Sequence, residues 1–340
     1  MLRFVDWEFA WFDPYELIQG IIGSSVVFLA KMFKKILSGG SSSQGTWNAL
    51  NSSNRDDIVK VHENVHSSTL GIAGGYSHKT ISVPSEVFEN LKAAGRANRI
   101  TRNVMHAGAG NQVTDIRASE GESWARDVIA RRDGAATKLK RAQKTQGGNC
   151  AVFASVAGAA LHNESLSAPI MRRRQALPDG GSHEFLLIGD PRVARWGESK
   201  TVVVDPWPGH PSACTLDQAV LHDSRTGQSY PLAQLAANSR IQGEAWAERA
   251  PSGKDAGRME SINPLGKEEI NKQMRKMGLP PAGEQLTAHA LADDSTRLFD
   301  VRVGTDPSTQ YMDQSDGETR TFDDISATLL NQQYAGRQRR

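Results

Sequence analysis

Cysteine is nearly absent: 340 residues carry two, Cys150 and Cys214. A chain long enough to bury its own core needs no disulfide staple, so both are read as reduced thiols, compatible with work in a reducing cytosol even for an exported protein. Aromatic residues are scarce at 6% and the net charge is only +2. Without a basic stripe interleaved with aromatic rings, nucleic acid is not an expected partner. The charge-free run from Leu17 to Ala30 falls short of the roughly 20 residues that a spanning helix needs. The first residues carry Asp6 and Glu8 where a secretory signal has a basic region, and no small-residue cleavage site follows, which argues against a cleaved signal. No internal repeat is present.

What is there begins with residues 1–38. Asp13-Pro14 and Glu16 open a helix that Gly39 closes, with Ile22, Val26, Leu29, Phe33 and Ile36 on one face and Lys31, Lys34 and Lys35 gathered at its end. Such a helix can lie on an anionic bilayer, or dock on its own protein or on a secretion chaperone. Residues 39–55 are rich in Gly, Ser and Asn and read as a linker. The folded body is expected over 56–305, followed by an extension over 306–340 that ends in a solvated basic tail, QQYAGRQRR. Helices are expected over Ser85–Ala97, over Gly121–Gln143 with a Ser119/Glu122 capping box, and over Pro264–Met277, with a further start at Thr215 and Gln218. LFDVRVGTD, Leu298 to Asp306, reads as a strand of the main sheet or of a separate unit.

The chemistry concentrates in TQGGNCAVFASVAGAAL, Thr145 to Leu161. The run after Cys150 is small or apolar on every side, the mark of a helix packed all round. Cys150 then stands in its first turn, where the positive end of the helix dipole favours a thiolate. Gly147 and Gly148 would let the backbone approach a substrate. The bland alternative is an inert core cysteine.

A base and an orienting acid follow. SHEFLLIGD, Ser182 to Asp190, and KTVVVDPWPG, Lys200 to Gly209, read as two strands. An antiparallel hairpin centred on Ala194 sets His183 opposite Asp205, and opposed residues share a face. The imidazole could take the thiol proton and the carboxylate could fix its tautomer. The alternative is a strand-edge histidine and a strand-terminating Asp-Pro turn.

The order GGNC with a small apolar helix, then H-x-F-L-L-I-G, then V-V-V-D-P-W-P, resembles the papain-like (transglutaminase-like) fold of bacterial toxins and secreted effectors, among them dermonecrotic-type toxin catalytic domains and protein-glutamine deamidases. The resemblance spans Thr145 to Gly209. It implies an α+β fold in which a central helix carrying the cysteine packs on an antiparallel sheet carrying histidine and aspartate. It implies Cys150 as nucleophile, His183 as general base and Asp205 as orienting acid, with Trp207 matching the aromatic after Asp-Pro. The three lie close together in sequence, as in the deamidases, whereas papain-type proteases place cysteine and histidine far apart. Gln146 and Gln143 precede the cysteine as candidates for the oxyanion glutamine, though not at the usual offset, and Asn149 adjoins it. The implied protein is a secreted effector that needs no cofactor, reaches the host cytosol, and hydrolyses amides of a host protein, by glutamine deamidation, proteolysis or transglutamination.

Two other classes compete. VHENVHSS contains His62-Glu63-x-x-His66, the zinc-protease pattern, with Glu86 or Glu89 as candidate third ligand. A catalytically silent binding module is the other. The N-terminal helix carries its own test. Removing residues 1–38 is expected to release the protein from acidic liposomes in a sedimentation assay while the body stays folded; equal binding by the truncated chain would contradict the membrane reading.

Overall fold

The protein is seen in a computed structural model, which describes residues 57–335 apart from 133, 135–136, 178–180, 234–244, 249–251, 261 and 263–264. The helix expected over 1–38, the linker over 39–55 and the Asn263-Pro264 helix start lie outside the described residues.

The chain is α+β, with several antiparallel sheets. Four helices frame the centre: α1 (Ser85–Val104), α2 (Glu122–Arg132), α3 (Lys138–Thr145) and α4 (Cys150–Ala160). Beside them lies a five-stranded sheet built from β1 (Ile170–Ala176), β2 (Ser182–Ile188), β3 (Val202–Val204), β4 (Cys214–Thr215) and β5 (Ala245–Glu248), in the spatial order β4-β3-β2-β1-β5 and antiparallel throughout. Every residue of α4 except Ala151 is buried. Its alanines and glycine leave room for α1, α3 and the central strand β2 to close on it from different sides.

Several expected elements are redrawn. The first helix runs on to Val104, because Asn98, Arg99, Arg102 and Asn103, which read as a polar end, are buried. The helix expected over Gly121–Gln143 is two, α2 and α3, with Gly134 between them at φ 60°. Leu216–Gln218 is a single 3-10 turn. Strand β1 was not anticipated: its alternation is regular, but its fully buried positions Arg173 and Gln175 are polar.

The boundary expected after residue 305 is absent from the structure. Gln310–Asp313 pairs in parallel with Thr80–Val83, and Asp324–Ser326 pairs antiparallel with Ile58–Lys60. Leu298–Asp306 is an extended seam rather than a strand of the main sheet: Gly209 N donates to Val301 O at 3.1 Å and His210 N to Arg302 O at 2.7 Å. Gln332–Ala335, expected in a solvated tail, belong to the helix Ala327–Ala335, where Gln333 Nε2 donates to Gly209 O at 3.1 Å and Tyr334 Oη meets His210 Nε2 at 2.8 Å.

The Gly-Gly turn before α4 is packed rather than open. A Cβ at Gly147 would stand 2.4 Å from Arg126 Cβ and 2.5 Å from the Arg126 carbonyl carbon, and one at Gly148 2.4 Å from Val152 Cβ. The close approach is therefore to α2 and to α4 itself, not to a substrate. Gly147→Ala is expected to cost about 1–3 kcal/mol in urea unfolding, an overpacking cost. Gly257→Ala, in the helix Gly253–Glu260 where a Cβ meets nothing within 4 Å, is expected to be neutral or stabilising. Equal midpoints for the two variants would contradict this account.

Candidate active site

Cys150 is the first residue of α4, and Asn149 caps the helix by accepting from Ala151 N at 3.2 Å. His183 is the second residue of β2, and Asp205 directly follows β3. The hairpin register differs from expectation. Leu186 faces Val204 and Ile188 faces Val202, which centres the pair on Arg195 instead of Ala194, so β3 continued would set Asp205 opposite Phe185. The helical turn Gly197–Lys200 takes in Lys200, expected at the start of the strand. A shift of the centre by one moves the partner by two, and side chains alternate with period two, so His183 keeps the face of Asp205 and meets it diagonally.

That meeting is close. His183 Nε2 donates to Asp205 Oδ2 at 2.7 Å, with the histidine 1% exposed. The second ring nitrogen, Nδ1, is buried without a hydrogen-bond partner. Burial alone would lower the ring's pKa. The Asp205 carboxylate opposes it by charge and hydrogen bond, the Cys150 sulfur adds in the same direction, and the net effect raises His183 to about 10. The ring stacks on Phe185, with centroids 5.4 Å apart, and lies 4.6 Å from the Trp207 ring. Cys150 is 8% exposed, so all three groups are buried.

A residue remote in sequence holds the acid in place. Arg102, buried on α1, donates through Nε to Pro206 O at 2.7 Å and through Nη2 to Trp207 O at 2.7 Å and to Pro208 O, while Nη1 reaches both oxygens of Asp115 at 3.0–3.1 Å. Burial pushes the Asp115 carboxyl up, and Arg102 pulls against it. One guanidinium thus fastens the three residues after Asp205, and Trp207 N donates to Asp205 Oδ1 at 3.2 Å. Trp207 is pinned in turn by Nε1 donating to Asn111 Oδ1 at 2.9 Å.

The remaining candidates are placed as follows. Gln146, left-handed at φ 50°, donates Nε2 to Val104 O at 2.8 Å and keeps Oε1 buried and unpartnered. Gln143 donates to Arg258 O, toward another helix. Cys214 is a free thiol that burial pushes up to about 12, so it is unsuited to nucleophilic work at neutral pH.

The zinc pattern does not assemble. Its helix is one turn, Val61–Asn64, and Val65 is extended, so His62 and His66 do not share a helical face. His62 pairs with Asp323 at 2.6 Å and His66 with Ser68 Oγ at 2.8 Å, leaving Glu63 between diverging histidines. Glu86 is bound to Arg195 and Glu89 to Lys92. Among the described residues no group of three or more His, Cys, Asp and Glu side chains is arranged to hold a metal.

Arg102 and β1 escaped sequence reading because buried polar residues look like surface ones. A cavity of about 480 Å³, lined in part by Arg117, Glu122, Lys267 and Gln332, includes none of Cys150, His183 and Asp205. Comparison of the chain with protein-family models, curated proteins and solved structures finds no match.

The raised pKa sets a pH dependence. An unfolded histidine titrates near 6.5, and His183 at about 10, so between these values the folded state holds a proton that the unfolded chain has lost. The stabilisation is complete below about pH 6.5 and is lost as pH rises through about 10. The stability difference between the wild type and Asp205→Asn, from urea midpoints, is expected to be largest near pH 6 and to shrink toward pH 10. A difference that grows with pH would contradict the pairing.

Proposed function

We propose that the chain is a papain-like cysteine hydrolase of amide bonds, acting as a protein-glutamine deamidase. The observation that carries this reading is the 2.7 Å contact of His183 Nε2 with Asp205, which leaves the buried Nδ1 as the ring atom for Cys150 at the start of α4. In this reaction the Cys150 sulfur forms a bond to the carbonyl carbon of a glutamine side chain. The His183 imidazolium gives its proton to the departing nitrogen, the C–N bond breaks, and ammonia leaves a thioester. Water attacks the thioester as His183 takes its proton, and the released product is glutamate with Cys150 restored. Asp205 keeps the ring oriented in both halves. No cofactor enters the scheme.

Depth favours a side-chain substrate. A cysteine only 8% exposed and a histidine 1% exposed can be reached by a slender carboxamide, whereas a main-chain amide needs an open groove. The proposed setting is that of a secreted bacterial effector whose substrate is a host cytosolic protein.

Candidate host proteins incubated with the enzyme are examined by intact mass and peptide mapping. Glutamine converted to glutamate in an unbroken chain, with ammonia released, is the expected outcome. Cys150→Ala is expected to abolish conversion, His183→Ala to cut it about 10²–10⁴-fold, and Asp205→Asn to lose less, because its amide carbonyl still accepts from the ring. Cys214→Ala is expected to be neutral. Cleaved chains without conversion would move the assignment to a protease, and activity untouched by Cys150→Ala would remove the cysteine mechanism.

A further inference from the structure

Gln175 stands directly opposite His183 in the β1–β2 ladder. Opposed residues of an antiparallel pair project from the same face, with Cβ atoms about 4.5–5.5 Å apart. Gln175 is 0% exposed, yet neither its Nε2 nor its Oε1 has a hydrogen-bond partner. Leaving such a buried group unpaired costs about 1–3 kcal/mol, a cost that leucine or methionine would avoid at the same strand position. Its neighbour across the ladder, His183 Nδ1, is also buried and without a hydrogen-bond partner. Unused polarity of this kind calls for an explanation, and beside His183 a catalytic role supplies one.

We infer that Gln175 is a catalytic residue that donates Nε2–H to the substrate oxygen in the tetrahedral intermediate, supplying the side-chain half of the oxyanion hole. This rests on the amide-hydrolase reading above. As the S–C bond forms, the carbonyl π pair moves onto oxygen. That negative charge is met by the Cys150 N–H, among the unpaired donors of the helix start, and by Gln175. When the intermediate collapses, the pair returns to the carbonyl and the nitrogen leaves with the proton from His183. Gln146, the nearer glutamine in sequence, is unsuited to the role. Its Nε2 is committed to Val104 O at 2.8 Å, and the atom left over is an acceptor that repels an oxyanion.

Two reagents applied to the full chain separate this role from packing and need no knowledge of the natural substrate. Iodoacetamide alkylates a thiolate by displacing iodide and forms no oxyanion. p-Nitrophenyl acetate acylates it through a tetrahedral oxyanion that expels p-nitrophenolate. In Gln175→Leu, Cys150 alkylation is expected to stay within about twofold of wild type while acylation falls about 10²-fold. The thermal midpoint is expected to hold or rise, because an apolar group replaces an unpaired amide. Gln175→Met, closer in shape, is expected to behave in the same way. Acylation and alkylation changing in parallel, or not at all, in both variants would overturn the role of Gln175 while leaving the cysteine mechanism standing. Wild-type Cys150 reacting no faster than Cys214 with iodoacetamide would overturn the hydrolase reading itself.

Discussion

A histidine sealed from water stays protonated only if a carboxylate faces it, and that carboxylate stays in place only if its own loop is fixed. His183 and Asp205 meet this condition through a chain of contacts that starts on a helix far away in sequence. The Arg102 guanidinium takes the carbonyls of Pro206, Trp207 and Pro208 together with the Asp115 carboxylate, and so removes the freedom of the turn that ends β3. Trp207, held in that turn, returns its backbone N–H to Asp205 and lays its ring near His183. Asp205, Trp207 and His183 are thus fixed by one buried cation, whose desolvation is offset by satisfied hydrogen bonds.

Cys150 is held by a different device. The turn before α4 is squeezed between α2 and the helix it opens, so that glycine is required at both Gly147 and Gly148 by contact rather than by backbone angle. The Gly148 carbonyl accepts from Gly110 N at 3.0 Å, which ties the turn to the loop after α1. α1 thereby reaches both halves of the site, through Arg102 at the acid and through the segment after Met105 at the cysteine turn. Precision in the site follows from packing among regular elements and not from a free loop.

The parts that could be read from sequence were those at element boundaries. Cys150 after Gly-Gly-Asn, His183 at a strand start and Asp205 at a strand end stand where turn residues meet apolar runs, and local pattern finds such places. The pairing of His183 with Asp205 survived a register error because strand faces repeat every two residues. Arg102, Arg173 and Gln175 were invisible for the opposite reason: a buried polar residue in a helix or strand is indistinguishable from an exposed one until its partners are known. The His62 to His66 pattern misled because nothing local announces that a helix stops at Asn64. Residues 306–335 were misplaced because their short strands pair with segments more than 200 residues away.

The central claim is that His183 is an imidazolium held by Asp205 and turned toward Cys150. Nitrogen chemical shifts of ¹⁵N-histidine-labelled protein, assigned with His183→Gln and followed by NMR near pH 8, test it most directly. The expected result is one ring with both nitrogens protonated, a signal that disappears in His183→Gln and reverts to a neutral ring in Asp205→Asn. A neutral His183 ring near pH 8 in the wild-type protein would contradict the account.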